Sequence, residues 1–178
     1  MKVQEIQSEF IIYDVPDSNK HKKILLKLID EIPNNPYEQV TKTDWNLPKD
    51  FERKYQEYFY SQVAAPYAKE MMKYFKVEKY EINKLWFQQY EEKSLHCYHT
   101  HALTNFTSVY FLELPESRFK TSIKIKDKEY NYEAGEGQII TFPAHLLHAS
   151  KANGNLRKTI ISFNSNLLLP ILKYGLST

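Results

Sequence analysis

Residues 96–112, HCYHTHALTNFTSVYFL, place three histidines directly before an apolar stretch that has the composition of a β-strand. His99 and His101 are two positions apart, and residues i and i+2 of an extended segment point to the same side. Two imidazoles on one side can bind the same metal ion, and imidazole suits Fe, Zn, Cu and Ni. A third ligand has to come from another part of the chain.

The second histidine cluster supplies a candidate for this third ligand. His148 follows a predicted strand that ends at Phe142 and Pro143, and a jelly-roll topology can return it to the first pair. His145 lies just past the end of that strand and is the weaker candidate. The sequence therefore predicts a metal site formed by His99, His101 and His148. The alternative is that these histidines lie on the surface or are hydrogen-bonded in the core.

The hydrophobic period changes near Lys79. Residues 1–78 have helical patterns after a short β-type run at 8–15, whereas residues 79–166 alternate as strands do. Many short strands separated by turn residues are typical of a β-sandwich or barrel. We predict an α+β fold, a double-stranded β-helix (a jelly-roll, cupin-like barrel) with the N-terminal helices packed on one face. The predicted helices are His21–Ile32 and a stretch from Pro48 to Phe75 that Pro66 divides; the predicted strands are Tyr80–Tyr90, Thr107–Leu114, Thr121–Ile125, Lys128–Glu133, Gln138–Phe142 and Lys158–Phe163.

The composition indicates an ordinary soluble protein. The 178 residues fit one domain over 1–178, with a helical support region at 1–78, a jelly-roll core at 79–166 and a C-terminal tail at 167–178. The net charge of +2 is too small to indicate a nucleic-acid partner. The only cysteine, Cys97, excludes an internal disulfide, and neither a signal peptide nor an apolar run of ~18 residues is present. We expect a cytoplasmic protein with no membrane partner; its oligomeric state is left open.

Arg157 and Thr159 begin the last predicted strand, and Arg157 lies nine positions after His148. Alternation places both residues on one face of that strand. If this face is the barrel interior, the buried guanidinium needs an anion, and its planar fork matches a carboxylate. The other interpretation is an arginine exposed at the start of a strand.

The order of these residues resembles the Fe(II)/2-oxoglutarate-dependent oxygenases, most closely the prolyl-hydroxylase-like branch and small phage-type oxygenases. That branch contains the pattern Tyr-x-x-Gly-x-x-Tyr-x-x-His-x-Asp. Here Tyr90 and His99 match this pattern, whereas Lys93, His96 and His101 replace the glycine, the second tyrosine and the aspartate. Further along the chain, the resemblance continues through TSVYFL at 107–112, Gly137, Phe142-Pro143 and His148. It ends at a basic residue about ten positions later, here Arg157, which in the family pairs with the distal carboxylate of 2-oxoglutarate.

This resemblance covers about residues 86–164, and it implies a dioxygenase that uses Fe(II), 2-oxoglutarate and O2. Such an enzyme would hydroxylate an unidentified small-molecule or peptidyl substrate and release succinate and CO2. It implies no catalytic residue beyond the metal ligands. The implied cosubstrate-binding residues are Arg157, Thr159 and His96, and the possible pocket-lining residues are Tyr90, Gln88 and Thr107.

The replacement of the usual carboxylate ligand by His101 leaves two alternatives open. Three-histidine iron sites occur in thiol dioxygenases, which use no 2-oxoglutarate, and His-x-His also resembles the cupin signature. Residues 102–106 lack the acidic residue that the cupin signature requires. The alternatives are a three-histidine metal dioxygenase or cupin-like enzyme that does not use 2-oxoglutarate, and a non-enzymatic metal-binding jelly-roll module.

Overall fold

A computed structural model gives the structure of residues 2, 4, 7–34 and 40–168. Within these ranges the helices are α1 (Ser18–Asp30), α2 (Lys54–Phe59) and α3 (Ala65–Phe75), and a π-helical segment, Tyr60–Ala64, joins the last two. The strands are β1 (Ile11–Asp14), β2 (Lys42–Thr43), β3 (Lys79–Tyr90), β4 (His96–His99), β5 (Phe106–Glu113), β6 (Ser122–Ile125), β7 (Lys128–Glu129), β8 (Gln138–Pro143), β9 (Leu147–Ser150) and β10 (Lys158–Leu168).

The strands form two antiparallel sheets. The larger sheet has six strands in the order β1-β8-β5-β10-β3-β2, and the smaller has four in the order β4-β9-β6-β7. In the larger sheet, the longest pairing joins β10 to β3 over the full length of β10, from Lys158 opposite Tyr90 to Leu168 opposite Lys79. The predicted α+β class, with helices that precede antiparallel strands, is confirmed.

The larger sheet is buried on both faces, because alternate residues of its strands enter two different hydrophobic clusters. Tyr110 and Phe163 belong to the cluster between this sheet and the three helices. Phe111 and Ile160 belong to the cluster between the two sheets. This arrangement produces three layers, in which helices cover one face of the large sheet and the small sheet faces the other. Helix α1 buries residues spaced four apart, His21, Leu25 and Ile29, of which Leu25 and Ile29 belong to the first cluster.

Several predicted boundaries differ from the structure. The strand predicted at Lys128–Glu133 ends at Glu129. Pro66 does not separate two helices, because the π-helical turn before it accommodates the residue without a backbone N–H, and the helical stretch is continuous. Strands β2, β4 and β9 were not predicted. Strand β10 extends into the predicted C-terminal tail, and residues 169–178 of that tail lie outside the described residues. That residues 1–178 form a single domain stays a prediction.

The segment after β2 is fixed to the large sheet by a buried aspartate. The Asp44 carboxylate accepts hydrogen bonds from the Phe87 backbone N–H (3.1 Å), the Tyr55 hydroxyl (2.8 Å) and Arg53 Nε (3.0 Å). Thr43 also donates its hydroxyl to the Phe87 carbonyl oxygen at 2.7 Å. The neighbouring residue Trp45 is thereby held at a defined position beside β3. None of the helices in the described ranges has both the length and the apolar character needed to cross a membrane.

Gly137 connects three elements, and the Gly137→Ala substitution should destabilise the protein. Its N–H donates to the Phe111 carbonyl and its carbonyl accepts from the Val15 N–H, at a φ of 84°. A Cβ there would lie 2.9 Å from the Cβ of Ser18. Strain at a positive φ costs about 1–3 kcal/mol, which lowers the Tm of a chain of this size by about 2–4 °C per kcal/mol.

The matched control is Gly135→Ala, because nothing lies within 4 Å of a Cβ at that position. Thermal and urea unfolding of the two variants should separate them clearly. Equal unfolding free energies would contradict the role assigned to Gly137.

Candidate metal centre

The pairing of the two short strands β4 and β9 brings the histidine clusters together. His96 lies opposite Ser150 and His99 lies opposite His148, so β4 has one more residue than β9 between the same two rungs. This extra residue is a β-bulge, which changes the side to which the following side chains point. His96 and His99 therefore both face the space between the sheets, with ring centroids 4.4 Å apart, although they are three positions apart in sequence.

The structure gathers the three predicted ligands. One ring nitrogen from each of His99, His101 and His148 lies within 4.8 Å of the others. The ring centroid of His148 is 4.3 Å from that of His99 and 5.0 Å from that of His101. His145, the weaker candidate, is exposed and is not part of this group.

Hydrogen bonds to backbone carbonyls determine the tautomers of two of these rings. His99 Nδ1 donates to the Cys97 carbonyl oxygen at 2.8 Å, and His148 Nδ1 donates to the Leu146 carbonyl oxygen at 2.9 Å. Because a carbonyl oxygen can only accept, the proton lies on Nδ1 and the lone pair lies on Nε2. Such a bond on the far nitrogen is the usual means by which proteins orient metal-binding imidazoles.

The third ring is oriented by an amide. His101 Nδ1 lies 3.3 Å from Asn164 Nδ2, and the other end of that amide accepts from the Thr107 hydroxyl at 3.2 Å. Rotating the amide by 180° presents Oδ1 to His101 and leaves the amide nitrogen to donate to Thr107. In that orientation His101 carries its proton on Nδ1 and presents a lone pair from Nε2, as the other two rings do.

Burial favours the neutral form of His101 and His148. Burial, together with the nearby histidines, lowers the pKa of His148 to about 3 and that of His101 to about 4. Neutral imidazole is the form that binds a metal ion. Three convergent neutral nitrogen donors fit Fe(II), and they fit other divalent transition metals as well.

Two spaces border the histidine group: His99 and His101 line both, and His148 lines the inner one. The inner cavity has a volume of about 30 Å3, and the outer cleft has a volume of about 480 Å3. Both are bordered by Trp86, Gln88, His96, His99 and His101. The other predicted lining residues, Tyr90 and Thr107, border the inner cavity. His96, Gln88, Tyr90 and Thr107 therefore lie around the metal-ligand group, and their roles in binding stay predictions.

Arg157 and Thr159 do not reach this cavity, and the prediction that they face the interior is wrong. Arg157 donates to Glu113 through Nε (3.0 Å) and Nη2 (3.1 Å), and it also contacts Asp30. Thr159 donates its hydroxyl to the same Glu113 carboxylate. Their carboxylate partner belongs to the protein itself. The alternation was read correctly, but the wrong set of alternate residues was assigned to the interior.

Lys158 is the residue that the sequence analysis missed. It lies opposite Tyr90, its side chain is 2% exposed, and Nζ lies 4.2 Å from the centroid of the Tyr90 ring. It donates to the Ser150 hydroxyl and to the Phe119 carbonyl oxygen (2.9 Å). The signal that could have found it was the ten-residue spacing from His148, since the family pattern places its basic residue there.

Comparisons with known proteins agree on the architecture. No family model matches the sequence, and no curated protein matches it. Among solved structures, an oxidoreductase of the 2OG-Fe(II) oxygenase family from Burkholderia pseudomallei aligns with a TM-score of 0.70 at 11% identity, over 88% of this chain and 84% of that chain. The fold is that of the 2OG-Fe(II) oxygenases.

Two further structures of this fold contain the cosubstrate. The viral collagen prolyl hydroxylase of Paramecium bursaria Chlorella virus-1, in complex with 2OG, has a TM-score of 0.61 at 14% identity, over 89% of this chain and 96% of that chain. HygX from Streptomyces hygroscopicus, with nickel and 2-oxoglutarate bound, has a TM-score of 0.62 at 7% identity, over 89% of this chain and 82% of that chain. The double-stranded β-helix class expected for this chain is therefore confirmed.

The His99→Ala variant should lose metal binding. It removes one of three donors, and even the loss of an outer hydrogen-bond partner of a ligand costs about 10–100-fold in metal affinity. We expect wild-type protein to retain about one Fe(II) per chain after anaerobic desalting, measured by elemental analysis.

The control for this experiment is His145→Ala, which removes an exposed imidazole from the segment that carries His148. This variant should keep the wild-type metal content. Full occupancy in His99→Ala would exclude this residue as a ligand.

Proposed function

We propose that this chain is an Fe(II)- and 2-oxoglutarate-dependent dioxygenase that hydroxylates its substrate and releases succinate and CO2. The observation that supports this function most directly is a buried ammonium, Lys158, near the three convergent histidines. In the described part of the chain, Lys158 forms no ion pair with a carboxylate. The partners that the structure gives it are a hydroxyl, a carbonyl oxygen and an aromatic ring.

A buried cation with neutral partners favours binding of an anion. Burial of an unpaired charge is costly, and burial lowers the pKa of Lys158 to about 8. An anion that enters the cavity compensates this cost and forms a charge-assisted hydrogen bond. We assign to Lys158 the role that the family pattern gives to its basic residue, which is to bind the distal carboxylate of 2-oxoglutarate.

The distance along β9 is suitable for a short dicarboxylate. Ser150, which accepts a hydrogen bond from Lys158, is two residues beyond His148, which corresponds to about 7 Å along an extended strand. The oxoacid end of 2-oxoglutarate would bind the metal ion, and its other carboxylate would reach Lys158. Because the inner cavity has a volume of about 30 Å3, the side chains around it have to move outward to admit this molecule.

His96 can assist through its second nitrogen. Gln88 accepts a hydrogen bond from the Tyr90 hydroxyl at its Oε1 (3.0 Å), and its amide nitrogen is then directed to His96 Nδ1 at 3.2 Å. In this arrangement Nδ1 of His96 accepts, so its proton lies on Nε2 and can be donated to an oxygen of the cosubstrate. This matches the cosubstrate-binding role that the family pattern assigns to the tyrosine at the same position.

Fe(II), when bound, supplies the activation of O2 that couples oxidation of 2-oxoglutarate to hydroxylation of substrate. The chain's own contribution is positional. His99, His101 and His148 occupy one side of the site. Lys158 binds the far end of the cosubstrate, and the side chains around Trp86 limit the access of water to the site.

A second candidate function is supported by His101. Three neutral imidazoles leave the site without the negative charge that two histidines and one carboxylate would provide. A three-histidine dioxygenase that uses no 2-oxoglutarate has this ligand set. The experiment on Lys158 separates the two functions.

Lys158→Met should abolish 2-oxoglutarate binding while the metal stays bound. Loss of one partner of a buried charge pair costs about 3–5 kcal/mol, which is about a hundred- to several thousand-fold in affinity. Titration of anaerobic Fe(II) protein with 2-oxoglutarate should produce the visible charge-transfer band of the chelate in wild type and no band in the variant.

The matched control is Arg157→Met, which removes the neighbouring cation on the opposite face of the strand. This variant should bind 2-oxoglutarate with wild-type affinity. A wild-type protein that binds Fe(II) but gives no saturable response to 2-oxoglutarate would favour the second candidate function. Loss of the band in Arg157→Met but not in Lys158→Met would contradict the assignment of Lys158.

The affinity for 2-oxoglutarate should fall as the pH rises above about 8. The free protein loses the Lys158 proton near this pH, because its pKa is lowered from the usual value of lysine, and the neutral amine does not attract a carboxylate. The dissociation constant should be constant below pH 7 and should rise about tenfold per pH unit above 8. Calorimetric titration of the Ni(II)-loaded protein at pH 7, 8 and 9 measures this, and a flat profile would contradict it.

A further inference from the structure

The outer cleft has an apolar wall whose side chains are open to solvent. Trp45, Val40 and Leu95 border it with exposures of 42%, 55% and 42%, and Trp86 forms its floor next to the metal-ligand group. Large apolar side chains that converge on a concave surface beside a reactive centre are typical of a ligand site. The volume of about 480 Å3 is within the range of sites for small organic molecules.

Part of the Trp45 side chain is exposed to this cleft. Lys84 covers a face of the ring, with Nζ 2.9 Å from its centroid, and Trp86 meets the ring at an interplanar angle of 80° with centroids 4.7 Å apart. Trp45 borders two spaces, and Lys84 lines only the one that lies outside the cleft. The surface that Trp45 contributes to the cleft is therefore aromatic.

The position of Trp45 is fixed before any ligand binds. Its backbone N–H donates to the Thr43 hydroxyl at 3.2 Å, and the buried carboxylate of Asp44 holds the same segment against β3. The backbone at Trp45 therefore needs no reordering when a second ring packs against its side chain.

The described residues that border the cleft offer no charged side chain to select an ionic substrate. Among the described residues that border it there is no aspartate, glutamate, lysine or arginine, and its polar groups are threonine hydroxyls, the Gln88 amide, the Cys97 thiol and imidazoles. Burial of an ionised substrate group against this surface would leave the charge without a partner. An uncharged ligand avoids this cost.

We propose that the outer cleft binds an uncharged aromatic molecule whose ring packs against Trp45, next to the metal-ligand group. This inference rests on the proposed function for the identity of the molecule as the substrate to be hydroxylated. The ring of Trp86 contacts that of Trp45 and lies 5.6 Å from the ring of His101, and His99 and His101 border the same cleft. A ligand beside Trp45 is therefore next to the metal-ligand group, while the polar groups of the cleft can hydrogen-bond its amide or hydroxyl.

The test uses phenylacetamide as the uncharged aromatic probe and three analogues of similar size. Phenylacetate adds a negative charge, phenethylamine adds a positive charge, and cyclohexylacetamide removes the aromatic ring. Ligand-observed NMR titration of the full-length protein without added metal measures each dissociation constant. Phenylacetamide should bind about tenfold or more tightly than each analogue, since aromatic pairing and the avoided burial of a charge each contribute.

Two substitutions locate the probe. Trp45→Ala should weaken phenylacetamide binding about tenfold, and Trp45→Phe should restore most of the affinity because it keeps an aromatic face. Tyr74→Ala is the matched control, since it removes an exposed aromatic ring on α3 that does not border the cleft. Circular dichroism of each variant verifies that the fold is intact.

Several results would overturn this inference: equal or tighter binding of the charged or cyclohexyl analogues, no saturable binding of phenylacetamide, or undiminished binding in Trp45→Ala. Because these titrations need neither metal nor 2-oxoglutarate, their failure is separate from a failure of the proposed function. A protein that gives the 2-oxoglutarate band but does not bind phenylacetamide keeps its proposed function and loses this substrate class. A protein that binds phenylacetamide at Trp45 without the band keeps the aromatic site and loses the proposed function.

Discussion

The candidate metal centre depends on the register between β4 and β9. His99 lies directly opposite His148 on adjacent antiparallel strands, and cross-strand neighbours are close enough for both imidazoles to contact one ion. The bulge in β4 adds one residue, so that His96 joins the same side. The backbone carbonyls of Cys97 and Leu146 then orient the two opposed rings with their lone pairs directed inward. A one-residue slip of this pair would turn the ligands away from each other.

The second constraint is the alternation along β10, which divides the strand between two environments. Lys158 and Ile160 face the space between the sheets, whereas Ile161 and Phe163 pack against the helices. The same alternation separates two neighbouring cations. Arg157 is neutralised by Glu113 on one face, while Lys158 is buried among neutral groups on the other. Of these two cations, only Lys158 is placed where an incoming anion would improve its electrostatic environment.

The two spaces around the histidines have different chemistry. The inner cavity contains hydroxyls and an amide and lies beside a buried ammonium, so it favours a small anion. The outer cleft has exposed apolar side chains and, among the described residues, no charged side chain, so it favours an uncharged molecule. Gln88 borders both spaces and connects Tyr90 to His96. Binding of two different molecules on the two sides of one metal centre is consistent with this contrast.

The sequence by itself determined the α+β class, the approximate positions of the long strands and the three histidines that converge, because hydrophobic period and the i, i+2 rule are local properties of the chain. It did not determine which face of β10 is the interior. Arg157 and Lys158 are adjacent, and a shift of one residue in the assignment moves every side chain of the strand to the opposite face of the sheet. The short strands β4 and β9 also escaped prediction, since their pairing and bulge arise from contacts distant in sequence. Only the tertiary structure decided these points, because the environment of a strand residue is set by the layers packed on each side of its sheet and not by the residues next to it in the chain.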